Sequence, residues 1–175
     1  NAKGQVTLLH VTDIHGQLKP VYFRPPSENF GVANFEGIPP HLVGQDFLRH
    51  FKIEPGSAFA YAHTMVDYES LARAYGRLGG LDRIATLVKA IRAERGDDSV
   101  LLLDGGDTWQ GSYTSLKTQG ADMVSAMKLL KPDCMVGHWE FTFGQDRVEE
   151  LIEEMGYPFL GGNVFDTEWE EQVFQ

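Results

Sequence analysis

Three short apolar runs in this chain each end in a cluster of glycine and acid, joined by histidine after the first and third, and helical patterns fall between the runs. That arrangement leaves few folds open. Val6-Thr-Leu-Leu-His-Val-Thr12 is β-branched and mostly apolar and runs into Asp13-Ile-His15. It predicts a buried strand. Val100-Leu-Leu-Leu103 runs into Asp104-Gly-Gly-Asp107, and its unbroken apolar character predicts a strand buried on both faces. Cys134-Met-Val136 runs into Gly137-His-Trp-Glu140, and Pro158-Phe-Leu160 leads into Gly161-Gly-Asn163, giving a third and a fourth strand. Between them, Leu81, Ile84, Val88 and Ile91 recur at helical spacing, to about Arg95. Met123, Met127 and Leu130 predict a second helix, stopped by Pro132. Val148, Leu151, Ile152 and Met155 predict a third. Alternating strand and helix implies parallel pairing through right-handed crossovers, hence an α/β fold.

One stretch breaks the alternation. Residues 18 to about 69 hold six of the chain's eight prolines and no long periodic pattern. Loops of that length are uncommon and usually functional or disordered. The stretch is expected to be an insertion folded over the sheet, with a flexible surface loop as the rival reading. The net charge of −10, from 15 Lys+Arg against 25 Asp+Glu, argues against nucleic acid or an anionic membrane surface as the main partner. No apolar run approaches the roughly 18–20 residues of a membrane span. The single cysteine, Cys134, excludes an internal disulfide and does not fix the compartment. No signal peptide is visible, and the start at Asn1 suggests processing or truncation.

Every polar cluster lies just past the carboxyl end of a strand. In a parallel sheet those ends share one edge, where ligands bind. Groups far apart in sequence therefore converge there. Asp13 and His15 supply an oxygen and a nitrogen two residues apart, and alternate residues of an extended segment point the same way. Asp107 can bridge two ions through its two oxygens. Imidazole with carboxylate suits manganese, iron or zinc better than copper(I) or calcium.

Asp13-Ile-His15, Gly106-Asp-Thr-Trp-Gln-Gly111 and Gly137-His-Trp-Glu-Phe141 resemble the first three motifs of the calcineurin-like metallophosphoesterases, 5′-nucleotidase branch. There the third motif usually reads Gly-Asn-His-Glu. The His-Trp pair, the long insert and the Arg73-Ala-Tyr-Gly-Arg-Leu-Gly-Gly-Leu81 lead-in are similar to the SoxB-type sulfate thiohydrolases. The resemblance covers essentially the whole chain. It implies the amino-terminal half of a four-layer αββα sandwich with two sheets. It also implies two manganese ions, with zinc or iron as alternatives, and hydrolysis of a cysteine S-thiosulfonate on the SoxYZ carrier protein, releasing sulfate in the periplasm. By motif, Asp13, His15 and Asp107 are implied metal ligands, with Asp107 bridging. His138 stands where the family places a metal-binding Asn. Trp139 stands where phosphatases place a His near the leaving group, and Trp cannot take that role. Asn163, Trp109 and Arg77 are candidate substrate-binding residues. The family's later motifs, a His and a Gly-His-x-His cluster, do not occur before Gln175, so the chain reads as the amino-terminal part of a longer catalytic domain.

The leaving group gives the Trp a physical reason. Alkoxide expulsion from a phosphomonoester gains about 10²–10⁴ from a nearby acid. A thiolate or persulfide sulfur leaves without a proton, and an indole offers it an apolar face. Two rival functions remain: a 5′-nucleotidase-type phosphoesterase and a non-catalytic fragment or binding module. Other residues have plainer expectations. Asp104 holds the Gly105-Gly106 turn, and Gln110 is a turn residue. Glu140 either orients its loop or is a solvated carboxylate. Asn163 either meets substrate or shapes its turn, and Arg77 either greets an anion or is a surface charge. His10 and Cys134 are expected in the core, and His41, His50 and His63 on the surface.

Overall fold

The computed structural model describes residues 4–22, 29 and 31–174. Contacts divide the chain into two compact units, one formed by Asn1–Lys19 with Gly80–Gln175 and one by Pro20–Gly79.

The first unit is the α/β part. Four strands, β1 (Thr7–Val11), β2 (Val100–Asp104), β3 (Cys134–Val136) and β4 (Phe159–Leu160), form one sheet in the order β1-β2-β3-β4, every pair parallel. β1 and β2 pair in register from Thr7 opposite Val100 to Val11 opposite Asp104. Four helices connect the strands. α4 (Leu81–Arg95) follows β1. α5 (Tyr113–Thr118) and α6 (Ala121–Leu130) follow β2, and α7 (Gln145–Met155) follows β3. The helix ends follow local chemistry. Gly96 closes α4 with φ +90, and Pro132 stands two residues past α6. Ser112 caps α5 through a reciprocal Ser112–Ser115 box, and Gly156 ends α7 in the left-handed region. The sequence did not signal α5, whose six residues are too few to show a period.

The buried cluster joins Leu102, Met135 and Phe159 of the sheet to Leu81 and Val88 of α4, Met123, Val124, Met127 and Leu130 of α6, and Val148, Leu151 and Met155 of α7. All of this lies on one face. With strands in sequential order, right-handed crossovers put every helix on the same side. The opposite face carries Leu8, Leu101, Val136 and Leu160, all exposed, with Leu8 at 63%.

This corrects four expectations. β1 alternates half-buried and exposed residues because helices cover only one face of the sheet, and its inward side chains are only half-buried because it lies at the sheet's edge. β2 is buried at Val100, Leu102 and Asp104 but not at Leu101. His10 lies on the bare face and is exposed, not in the core, and Cys134 is only half-buried.

The second unit is not an irregular loop. It holds α1 (Gly44–Phe51), α2 (Ala58–His63) and α3 (Tyr68–Tyr75), each too short to betray itself by periodicity. Ser57 caps α2 by accepting the Ala60 N–H at 3.1 Å. Tyr61, Leu71 and Ala72 make its small core, and Val21 bridges Leu78 to close its ends. Of the expected 18–69 insertion, residues 23–28 and 30 lie outside the described residues. His50 and His63 are exposed and His41 is half-buried. Among the described residues, no helix is long and apolar enough to cross a membrane.

Candidate metal centre

The loop after β1 lies along the loop after β2 and continues their ladder beyond the strands. Gly105 N–H donates to Val11, Asp13 N–H to the Gly106 carbonyl at 2.9 Å, and His15 N–H to the Asp107 carbonyl at 2.9 Å. These bonds fix the spacing of the two loops before any side chain is considered. Asp13, His15 and Asp107 all have positive φ, at 54, 53 and 56. Asp and His are among the residue types that tolerate this region, and such backbone concentrates at functional sites. Gly106 cannot be replaced without movement. Its φ is +84, and a Cβ there would meet the Val136 carbonyl oxygen at 2.5 Å.

One ligand atom each from Asp13, His15 and Asp107 lies within 4.8 Å of the others, a grouping that can hold a metal ion. Asp107 is the centre of the arrangement. Its Oδ2 lies 3.2 Å from His15 Nε2 and 3.3 Å from His138 Nδ1. The side chain of Asp107 is 5% exposed, whereas those of His15, His138 and Asp13 are about half exposed, at 50%, 54% and 54%. A buried carboxylate is thus flanked by two imidazoles from different loops, with a second carboxylate 3.7 Å from His15. Two carboxylates and two imidazoles are the donor set that suits manganese, iron or zinc. The Asp13 carboxyl is held below the usual range, first by the Thr12 hydroxyl that donates to it at 2.5 Å, then by the nearby His138 and His15 imidazoles. An acid kept ionised is ready to ligate.

Two further residues organise this cluster. The Gln110 side-chain amide donates to Asp107 Oδ1, leaving Oδ2 toward the imidazoles. Gln110 is therefore more than a turn residue, and its place three positions after Asp107 was the available signal. Glu140 is fully buried, at 0% exposure. Its carboxylate accepts the N–H groups of Asp107, Thr108 and Trp109 at 3.1, 2.7 and 3.2 Å and that of His138 at 2.8 Å. Of its two expected readings, the loop-orienting one fits. A carboxylate between two aromatics, Trp139 and Phe141, was the hint, since buried acids need donors.

Asp104 sits beneath the loop. Its Oδ1 accepts the Gly106 N–H at 3.0 Å and the Thr108 hydroxyl at 2.8 Å, as expected of a residue holding the turn. Its Oδ2 is buried without a partner among the described residues. Burial pushes its carboxyl up to about 6, against the Thr108 and Gly106 bonds that pull it down.

The remaining candidates fall differently. Trp139 is 58% exposed, its ring 6.3 Å from that of His138. Asn163 is exposed on the turn after β4, at the same sheet edge. Trp109 does not face the loops as a substrate-binding ring would. It is fully buried, 6.0 Å from the Phe159 ring, because the turn after Asp107 points it into the helix-side core. Arg77 belongs to the Pro20–Gly79 unit, where its guanidinium lies 5.3 Å from the centroid of the Tyr22 ring.

Known proteins resemble this arrangement at two levels. No family model matches the chain. The human 5′-nucleotidase is 35% identical over 103 residues, a match covering 58% of this chain and 18% of that protein. A snake venom 5′-nucleotidase from Naja atra is 35% identical over 88 residues, covering 49% of this chain and 16% of that one. Among solved structures, the sulfate thiohydrolase SoxB of Thermus thermophilus, in complex with glycerol, superposes with a TM-score of 0.85 at 36% identity. That likeness covers 98% of this chain and 32% of the SoxB chain. A calcineurin-like phosphoesterase, YfkN, from Bacillus subtilis shares the fold at a TM-score of 0.54 and 20% identity, over 97% of this chain and 40% of its own. The chain thus spans about a third of the SoxB structure, and its matches cover less than a fifth of the 5′-nucleotidases.

Proposed function

We propose that this chain, which belongs to the metallophosphoesterase and 5′-nucleotidase superfamily, supplies part of a dimetal hydrolase centre that releases sulfate from a cysteine S-thiosulfonate on a carrier protein of the SoxYZ type. The observation that carries the hydrolase reading is the Asp107 carboxylate set between His15 and His138. Asp13, His15, Asp107 and His138 would hold the metal, with manganese as the first choice and zinc or iron as alternatives. Divalent ions at such a centre polarise the substrate's oxygens and lower the pKa of water.

The chain's own residues then divide the work. Asp107 would share its carboxylate between the two sides of the centre, since its Oδ2 lies beside both His15 and His138. Gln110 holds one of its oxygens, so the other keeps its direction. Trp139, largely exposed beside His138, offers an apolar face to a sulfur chain and has no acidic proton to transfer to an oxygen leaving group. That suits a leaving sulfur, which needs none. The likeness to the Thermus thermophilus sulfate thiohydrolase over 98% of this chain supports the same choice. We place the protein in the periplasm on the same resemblance, and give the Pro20–Gly79 unit the task of admitting a protein-borne substrate.

The test is a paired assay on the metal-replete intact protein. Sulfate release from a carrier-bound cysteine S-thiosulfonate should far exceed phosphate release from AMP. The 5′-nucleotidase reading, favoured by the 35% identity to the human enzyme, requires the reverse. No turnover of either, with no metal found by elemental analysis, leaves a binding module.

A further inference from the structure

We propose that Glu140 is a positioning residue. By filling an anion-binding nest in the loop after β2 and bonding to the loop after β3, it sets the two halves of the metal centre in register before metal arrives. The inference rests on the reading of this cluster as a metal centre and concerns what builds it.

Asp107 has left-handed backbone at φ +56, and the successive N–H groups of Asp107, Thr108 and Trp109 all reach one carboxylate. Successive N–H groups at such a turn form a concavity that binds anions. In this chain the concavity is filled from within. Glu140 Oε1 takes the Thr108 and Trp109 N–H groups, and Oε2 takes that of Asp107. Oε2 also takes the His138 N–H at 2.8 Å, so a single carboxylate spans both loops.

Two consequences follow. First, Asp107 and His138 are fixed through their own backbone N–H groups, adjacent to the side chains that lie 3.3 Å apart. Neither loop can slide without leaving a buried donor unpaired. Second, the nest is closed to substrate. Its three donors are already used, so the anionic group of a substrate is bound elsewhere in the centre.

A purely structural role would lower the stability of the fold without changing the metal affinity of molecules that remain folded. A positioning role lowers the affinity itself. The test is Mn²⁺ titration by calorimetry on the intact protein, with near-UV circular dichroism of the metal-free form as the folding control. Glu140→Gln puts an amide where two N–H groups need an acceptor. Its Mn²⁺ affinity should fall by about 10–100-fold while the metal-free protein stays folded. Saturating Mn²⁺ should restore most of kcat, since excess metal pulls the loops into place. Glu140→Gly empties the nest. Its affinity should fall likewise, and an excess of formate should recover part of the loss while leaving wild-type affinity unchanged. Glu140→Asp retracts the charge by one methylene and serves if the other two variants do not fold; while folded, it should also bind Mn²⁺ more weakly. Folded variants with affinity within about 2-fold of wild type overturn the proposal, as does failure of formate to recover a folded Glu140→Gly. Wild type that takes up no Mn²⁺ overturns both this inference and the metal-centre reading. Wild-type uptake with unchanged variants overturns this inference alone.

Discussion

Asp104→Asn isolates one ionisation from the rest of the loop. In the folded protein the Asp104 carboxyl is pushed from 3.8 up to about 6, chiefly by burial, with Glu140 nearby adding to the effect. The folded chain therefore binds more protons than the unfolded chain between those values. Stability falls as pH rises from about 4 to about 6 and is flat with respect to this group above that. The difference corresponds to about 3 kcal/mol at neutral pH, and about 2 kcal/mol of it develops between pH 4 and pH 7. Asparagine keeps an oxygen for the Gly106 N–H and the Thr108 hydroxyl. It also places an amide at the position of the buried, partnerless Oδ2, at a cost of about 1–3 kcal/mol. That cost does not depend on pH and cancels when one protein is compared with itself. Urea unfolding of metal-free wild type and Asp104→Asn from pH 4 to pH 7 should therefore give curves that converge by about 2 kcal/mol, the variant gaining relative stability as pH rises. His10 also acts electrostatically on Asp104, lowering its carboxyl, so the pair is repeated in a His10→Gln background. Parallel curves in both backgrounds would refute the burial argument.

Three further outcomes follow from the geometry. Asp107→Ala should lose both metal equivalents by elemental analysis, whereas His15→Ala should keep about one, because only Asp107 reaches toward both imidazoles; equal losses contradict a shared carboxylate. Replacing His138–Trp139 by Asn-His should raise AMP hydrolysis by about 10²-fold at full metal loading, as the new imidazole protonates an alkoxide, and should lower thiosulfonate turnover. A variant that keeps its metals but gains no phosphatase activity refutes the leaving-group argument. Trimming the Pro20–Gly79 unit should slow turnover of a carrier-bound adduct more than that of a small thiosulfonate, and an equal loss would make the unit structural.

What could be read from the sequence, and what could not, divides along physical lines. The strand–helix order was legible because the period changes along the chain, from the β-branched run at Val6–Thr12 to the 3.6-residue spacing of Leu81, Ile84 and Val88. The helices of the Pro20–Gly79 unit were not, since six to eight residues hold barely two turns. Leu101 and Leu102 read alike as letters, yet one is exposed and the other fully buried. An apolar run states what a strand can bury and not which face is covered. The metal-ligand candidates were visible because their chemistry lies in residue type: Asp13, His15 and Asp107 carry the carboxylates and imidazole that a metal site needs, each just past a strand. Glu140 was only half visible for the opposite reason. Its partners are backbone N–H groups, which every residue but proline carries, so no letter at 107, 108, 109 or 138 announces the bond. What selects that carboxylate is the shape of the turn. The turn in turn depends on Gly106, whose missing Cβ lets the loop approach the Val136 carbonyl and brings the N–H groups within reach of Glu140.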